Sequence, residues 1–467
     1  MILKTDLMPH QQKAYDKLSK IKVGALYMEQ GTGKTRTALE LINKRLLEYK
    51  VDHILWLCPV SVKSTIANEL KKHINEPHNE YFTICGIETL SSSIRTNVKL
   101  IQLVKSTSCY LIVDESNLVK NGNANRTESI SYLSNFCTYK LILNGTPISK
   151  NEADLYSQWS ILDWRILGYR SFWSFSNNHV VWDDNIKGKI KEIKNVKYLT
   201  DKIAPYTYQV LKEECLSLPS KSYSVASYHL TEEQYELYHY VAEKLLLEVD
   251  EMNATTIYRL FAGLQNVLSG FNINPLKKGF DREPFFKQPK DNPRIKRLLE
   301  VIDPIDQHKI VIFCKYTQEI HDICAVLNDR YGDDKAVMFN GEVKQRKRQQ
   351  QIDHFYNDAQ FFVANKTTAG YGLNLQFCHY AIYYNNDWDF ATRSQSEDRI
   401  HRIGQDHNVH IIDIYAENTL DQRILKCLDR KENMSAAFKN FIDKAKDTES
   451  LTNWLKGWDD LAKSLHR

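Results

Sequence analysis

No C-x-x-C pair occurs anywhere in this 467-residue chain, and its nine cysteines stand singly. That spacing argues against a zinc site or a disulfide framework. Long apolar runs are missing as well. The longest, such as residues 54–60, fall far short of the roughly 18 residues that span a bilayer. The opening residues MILKTDLMPHQQ contain no apolar signal region, so secretion is not expected and a cytoplasmic location is. An excess of one charge is nearly absent. Lys+Arg 62 against Asp+Glu 58 leaves +4, which excludes a histone-like binder and confines any nucleic-acid contact to local patches. Internal repeats and low-complexity tracts are lacking too.

What is present is ordinary globular sequence, 42% hydrophobic and 26% charged, enough to bury several cores. At roughly 150 residues per domain, two to four domains are expected. Strand-like apolar runs at 25–28, 53–58, 81–85, 110–113 and 140–143 alternate with helix-like stretches at 35–49 and 64–73. The rhythm returns at 309–314, 336–339, 361–364, 380–384 and 409–415, with helices at 318–327 and 344–355. Strands separated by helices of this length read as right-handed βαβ units on a parallel sheet. From 155 to 293 the texture turns aromatic, charged and helical, with Trp159, Trp164, Trp173 and Trp182 followed by Lys187, Lys189, Lys191, Lys194 and Lys197. The expected architecture is α/β, two parallel-sheet lobes in tandem with a mostly helical insertion. Its boundaries are 1–160, 161–292 and 293–430, with a helical tail at 431–467. The tryptophans are expected in the core of the insertion, and the lysines on a solvated face.

Three motifs carry chemistry. Met28-Glu29-Gln30-Gly31-Thr32-Gly33-Lys34-Thr35 lies between a strand and a helix. Its glycines let backbone N–H groups turn inward on phosphate oxygens, and the helix start adds its positive end. Lys34 is expected to reach the β/γ-phosphates, and Thr35 to hold Mg2+. Met28 stands where a glycine is usual in such a loop. The strand Leu111-Ile112-Val113 ends in Asp114 and Glu115. There Asp114 is suited to positioning Mg2+ and Glu115 to activating the attacking water. Finally, Arg399 and Arg402 are three apart within 395–405 (QSEDRIHRIGQ). On a helix that spacing puts both guanidinium groups on one face, where they can neutralise charge on a transferring phosphoryl group. The bland alternative is a surface ion pair with Glu397 or Asp398.

Taken in order, these elements resemble the superfamily 2 nucleic-acid-dependent ATPases, most closely their SNF2-like branch, over nearly the whole chain. Residues 7–11 (LMPHQ) resemble the entry motif, in which Gln11 reads adenine. Residues 28–35 match motif I, including the missing first glycine. Residues 58–70 resemble motif Ia, Asp114-Glu115-Ser116-Asn117 motif II, and Asn144-Gly145-Thr146-Pro147 motif III. Leu218-Pro219-Ser220-Lys221, then 230–234 (LTEEQ) and Tyr238, resemble the branch's entry to its insertion. Residues 310–317 resemble motif IV, and 367–375 (TTAGYGLNL) motif V. Asp387-Trp388 and 395–405 follow, the latter matching motif VI.

The resemblance implies ATP and Mg2+ as cofactors, Gly372 among the nucleotide contacts, and a DNA strand gripped by Ser61, Lys63, Thr368, Asn374 and Trp388. Motif II departs from the branch by ending in Ser116-Asn117 rather than Ala-His. Asparagines at 117 and 144 are expected to share a polar contact instead. No chromatin-reading segment is evident, and the size resembles phage-type and fork-remodelling members. A monomeric DNA motor that unwinds or remodels forked or branched DNA is the leading expectation. A duplex translocase that displaces proteins without strand separation, and a nucleotide-gated DNA-binding or loading factor, remain open beside it.

Overall fold

The computed structural model describes residues 3–75, 80–122, 124–145, 153–182, 190–247, 254–277, 282–305, 307–343, 345–366, 373–387 and 390–430. The chain divides into two units between Leu218 and Pro219. In the first, β1 (Val23–Met28), β2 (His53–Cys58), β3 (Phe82–Gly86), β4 (Cys109–Asp114), β5 (Tyr139–Asn144) and β6 (Thr207–Val210) form one sheet. The order is β3-β2-β4-β5-β1-β6, and every pairing is parallel. Alternation along each strand feeds two cores. Ala25 and Tyr27 of β1 face one side with Leu55, Leu111, Trp159 and Phe175. Leu26 and Met28 face the other, against α1 (Pro9–Leu18), α2 (Lys34–Leu47) and α3 (Lys63–His73). A parallel sheet covered on both faces requires strands apolar at nearly every position, as these are.

The second unit repeats the plan. Its strands are β7 (Lys221–Tyr228), β8 (Ile310–Cys314), β9 (Ala336–Phe339), β10 (Phe361–Asn365), β11 (Tyr380–Tyr383) and β12 (Val409–Ala416). They run β9-β10-β8-β11-β12-β7, again all parallel. Ile310 and Ile312 of β8 pack with Leu260, Phe261 and Leu264. Val311 and Phe313 pack on the other face with Phe355, Phe362 and Ile400. Each such side chain contributes roughly 1.5–3 kcal/mol on burial. Two RecA-like lobes are thus present.

The stretch 161–292, read from sequence as a helical insertion, is shared between the lobes. Thr207–Val210 completes the first sheet and Lys221–Tyr228 the second. The helices Glu232–Leu247 and Ala254–Leu268 supply core to the second unit. Of the four tryptophans expected in a core, only Trp159 is buried; Trp164, Trp173 and Trp182 are exposed. Among the described residues, no helix is long and apolar enough to cross a membrane.

Candidate functional site

In the first sheet β4, β5 and β1 are neighbours, and their parallel register brings Asp114, Asn144 and Met28 to one edge. Ligands of open α/β sheets collect at such carboxyl ends. The loop leaving β1 is held from below. Gly31 and Gly33 adopt φ of 83° and 87°, a left-handed backbone open to glycine. A Cβ on Gly33 would also collide with the Gln11 side-chain amide. That amide donates to the Thr32 carbonyl at 3.1 Å, and the His10 ring meets the same oxygen at 2.8 Å. Thr32 in turn donates its hydroxyl to the Glu29 carbonyl at 2.7 Å. Gln11, expected to read adenine, therefore also props the loop. The Glu29 carboxylate turns toward the short helix after β6 (Lys212–Cys215), where the Lys212 N–H donates to it at 2.8 Å. Lys34 opens α2 and donates Nζ to the Met28 carbonyl at 2.9 Å. A Cβ on Gly145 would stand 3.6 Å from that Nζ, so the segment after β5 passes close to the lysine.

Asp114, the last residue of β4, is buried. Burial and then the neighbouring Glu115 carboxylate push its carboxyl up to about 7, against the pull of Lys34 and of the Glu115 N–H, which donates to Oδ1 at 3.0 Å. A carboxyl so poorly compensated fits a site for a divalent cation. The hydroxyl of Thr35 at the start of α2 supplies a second hard oxygen of the kind Mg2+ takes. Glu115 sits at φ 51°, ψ 55°, a conformation that costs a non-glycine residue on the order of 1–2 kcal/mol and clusters at working sites. Its Oε1 accepts from Gln30 Nε2 at 3.4 Å.

Behind the acids lies a buried relay that sequence reading missed. Ser116 donates to Gln158 Oε1 at 2.5 Å, and Gln158 donates to the Asp154 carbonyl at 2.9 Å, one turn back along the helix Asp154–Leu167. Asn144 Nδ2 reaches Ser116 at 3.4 Å. The expected contact between Asn117 and Asn144 is not made: Asn117 Oδ1 is buried without a hydrogen-bond partner, and the serine takes its place. Ser61 and Lys63, read as strand contacts, are both exposed.

In the second unit the helix expected to carry both arginines stops at Glu397 (Phe390–Glu397). The cause is local. Ile400 is drawn fully into the core, the Arg399 carbonyl accepts the Leu375 N–H at 3.0 Å, and Gly404 turns the chain at φ 92°. Arg399 and Arg402 are thus displayed from a turn, not on one helical face. Nor does either pair with Glu397. That carboxylate is taken by Arg393 at 2.8 Å and Lys221 at 3.0 Å, and by the Tyr223 hydroxyl at 2.8 Å. Arg402 donates instead to Asn374 Oδ1 at 2.5 Å, joining a residue read as a strand contact to one read as a phosphate sensor. Asp387 lies 2.8 Å from Lys315 and 3.5 Å from Lys366. Burial alone would raise its pKa, and the two lysines hold it down at about 2. Thr368, Gly372 and Trp388 lie outside the described residues.

Comparison with known proteins adds three matches. Residues 79–269 match the SNF2-related domain, and residues 293–404 the helicase conserved C-terminal domain. Residues 4–149 also match the family described as type III restriction enzyme, res subunit. Among relatives, "Uncharacterized ATP-dependent helicase MG018" of Mycoplasma genitalium is 26% identical, covering 88% of this chain and 40% of that protein. An "Uncharacterized ATP-dependent helicase" of Mycoplasma pneumoniae is 25% identical, covering 92% of this chain and 41% of its own length. The chain thus spans about two fifths of the length of these relatives. A solved structure titled "Sulfolobus solfataricus SWI2/SNF2 ATPase core in complex with dsDNA" is 22% identical, with coverage of 97% of this chain and 98% of that one and a TM-score of 0.40.

Proposed function

We propose that this chain is a DNA-dependent ATPase that moves on DNA and remodels branched substrates by fork regression, junction migration or unwinding of forked duplexes. The observation that carries the ATPase reading is the convergence of the glycine loop, Lys34, Asp114 and Glu115 on the carboxyl ends of β1 and β4, which flank β5 in one parallel sheet. Residues 31–35 cradle the phosphates with backbone N–H groups, and Lys34 leaves the Met28 carbonyl to meet them. Asp114 and Thr35 hold Mg2+, which when bound supplies charge neutralisation on the transferred phosphoryl group. Glu115, fixed by its left-handed backbone, accepts a proton from the attacking water. Arg399 and Arg402 neutralise negative charge that grows on the phosphoryl oxygens. Ser61, Lys63 and Asn374 contact the DNA backbone, so binding is sequence-tolerant and falls with salt.

The test compares ATP-dependent product formation on a model replication fork and on a simple overhang duplex at one salt concentration. Product from the fork with little from the overhang is the expected result. Efficient opening of both makes the chain a general helicase. DNA-stimulated ATP hydrolysis with no product from either makes it a duplex translocase, and DNA binding without turnover a nucleotide-gated loading factor.

A further inference from the structure

The described residues between 164 and 202 of the first unit carry six Lys/Arg against two Asp/Glu, an excess of +4 that equals the excess of the entire chain. The same stretch carries exposed rings. Trp173 on the short helix Phe172–His179 is 73% exposed, and Phe172, Trp164, Trp182 and Tyr198 are each between 37% and 44% exposed. Several of these rings are joined. Phe172 stacks on the buried Phe175 at 6.0 Å, Phe175 meets His179 at 5.0 Å, and His179 stacks on Tyr198 at 5.8 Å. Cations lie against two of the outer rings: Arg170 stands 4.7 Å from Trp164, and Lys202 stands 5.4 Å from Tyr198. Arg165 pairs with Asp163 and Lys197 with Asp201. The other described charges of the stretch are Arg170, Lys191, Lys194 and Lys202 against Glu192.

Composition decides the occupant. The core of a protein-docking patch is depleted of lysine. Duplex phosphates need cations but offer no base faces to exposed rings. Exposed rings, two of them with a cation alongside (Arg170 at Trp164 and Lys202 at Tyr198), match a strand whose bases are unpaired, with bases on the rings and phosphates on the cations.

We propose that this surface binds single-stranded nucleic acid by stacking, as a contact additional to Ser61, Lys63, Thr368, Asn374 and Trp388. The proposal rests on the DNA-motor reading above and deepens it. It gives the first unit a detector for the unpaired segment of a branched substrate.

The test titrates the whole chain against a fluorescein-labelled oligo-dT of about 20 nucleotides, and against a blunt duplex of equal length, at fixed salt. Trp173→Ala is expected to weaken the single-strand complex about tenfold and the duplex complex less than about twofold. Trp173→Phe keeps a ring and restores most of the affinity, and Tyr198→Ala acts in the same direction as Trp173→Ala. Unchanged ATP binding in each variant establishes that the first unit is folded. Single-strand affinity unchanged in both alanine variants overturns the surface and leaves the motor reading standing. Equal losses on strand and duplex overturn the stacking role. If the unaltered chain binds neither DNA, the motor reading falls and takes this proposal with it. A loss of self-association in Trp173→Ala by sedimentation velocity, with DNA binding intact, makes the patch a contact between copies and also overturns it.

Discussion

The two units share an architecture and differ in how their polar groups are treated. Each has six parallel strands, the inner ones buried on both faces. In the first, the carboxyl edge of the sheet holds groups left in discomfort. Asp114 is pushed up to about 7, Glu115 is held in a left-handed backbone, and Asn117 Oδ1 is buried without a partner. In the second, the buried network around Arg393 is answered, although burial still raises Glu319 and lowers Lys366. Arg393 meets Asp413 at 2.5 Å and Glu397 at 2.8 Å. Although burial alone would raise Glu397, Arg393 and Lys221 hold it below the usual carboxylate range. Folding stability is served by the second arrangement, while a site that must accept charged ligands retains unmet demand. The difference teaches where to look: the frustrated edge, not the Arg393 network, is the place to test the proposed chemistry.

The sharpest way to break this comparison is Lys34→Ala. It should abolish DNA-stimulated ATP hydrolysis, a loss of about 100-fold or more in steady-state turnover, while the melting temperature stays near that of the unaltered chain. Full turnover in the variant would place the chemistry elsewhere. Arg402→Ala should bind a fluorescent ATP analogue as before yet hydrolyse ATP about 100-fold more slowly; equal loss of binding and turnover contradicts a role in the chemical step. Arg393→Met belongs to the satisfied network. It leaves the buried Asp413 carboxylate without its cation, with only the Asn386 amide at 2.7 Å, and should cost about 3–5 kcal/mol in denaturant unfolding of the second unit. A loss below about 1 kcal/mol would show the network to be less tightly coupled than its distances imply.

Asp114→Asn should give the smallest and most diagnostic effect. The folded carboxyl titrates near 7 against about 3.9 unfolded, so between those values the folded chain binds more protons than the unfolded one. Stability from this group therefore falls as pH rises from about 4 to 7 and stays low above. The asparagine removes that loss. Without nucleotide or Mg2+, the variant should melt about 2–4 °C higher than the unaltered chain at pH 8 and at the same temperature near pH 4. Melting at a lower temperature at pH 8 would show that Asp114 is already well compensated.

Much of this was legible in the amino-acid sequence because the strands are apolar and the loop is punctuated by glycine. The ten strands read from periodicity are present, some with ends shifted by a residue or two. Besides the short antiparallel pairs Val180–Trp182 with Ile190–Ile193 and Phe271–Asn272 with Glu283–Pro284, two strands of the large sheets escaped, the edge strands Thr207–Val210 and Lys221–Tyr228. The first is only four residues long, and the second leaves five of its eight residues exposed, so neither carries a hydrophobic pattern. Gly31, Gly33, Lys34, Asp114 and Glu115 could be placed because each sits at a strand end. The Ser116–Gln158 bond could not, since its partners are 42 residues apart and polar pairing leaves no periodicity. The helix expected through Arg399 and Arg402 failed for a related reason. Local spacing favoured it, and burial of Ile400 together with the Leu375–Arg399 backbone bond overrode it.

One feature of the first unit ties its parts together mechanically. Consecutive residues of the helix Asp154–Leu167 are fastened to different strands. Gln158 is bonded to the serine two places beyond β4, and Trp159 Nε1 donates at 2.9 Å to Tyr27 of β1, the strand that feeds the glycine loop. Two buried bonds on adjacent residues act as a splint. The ends of β1 and β4 cannot shift along the helix independently without breaking one of them. The loop and the acid pair therefore open and close as a single cooperative unit in local unfolding.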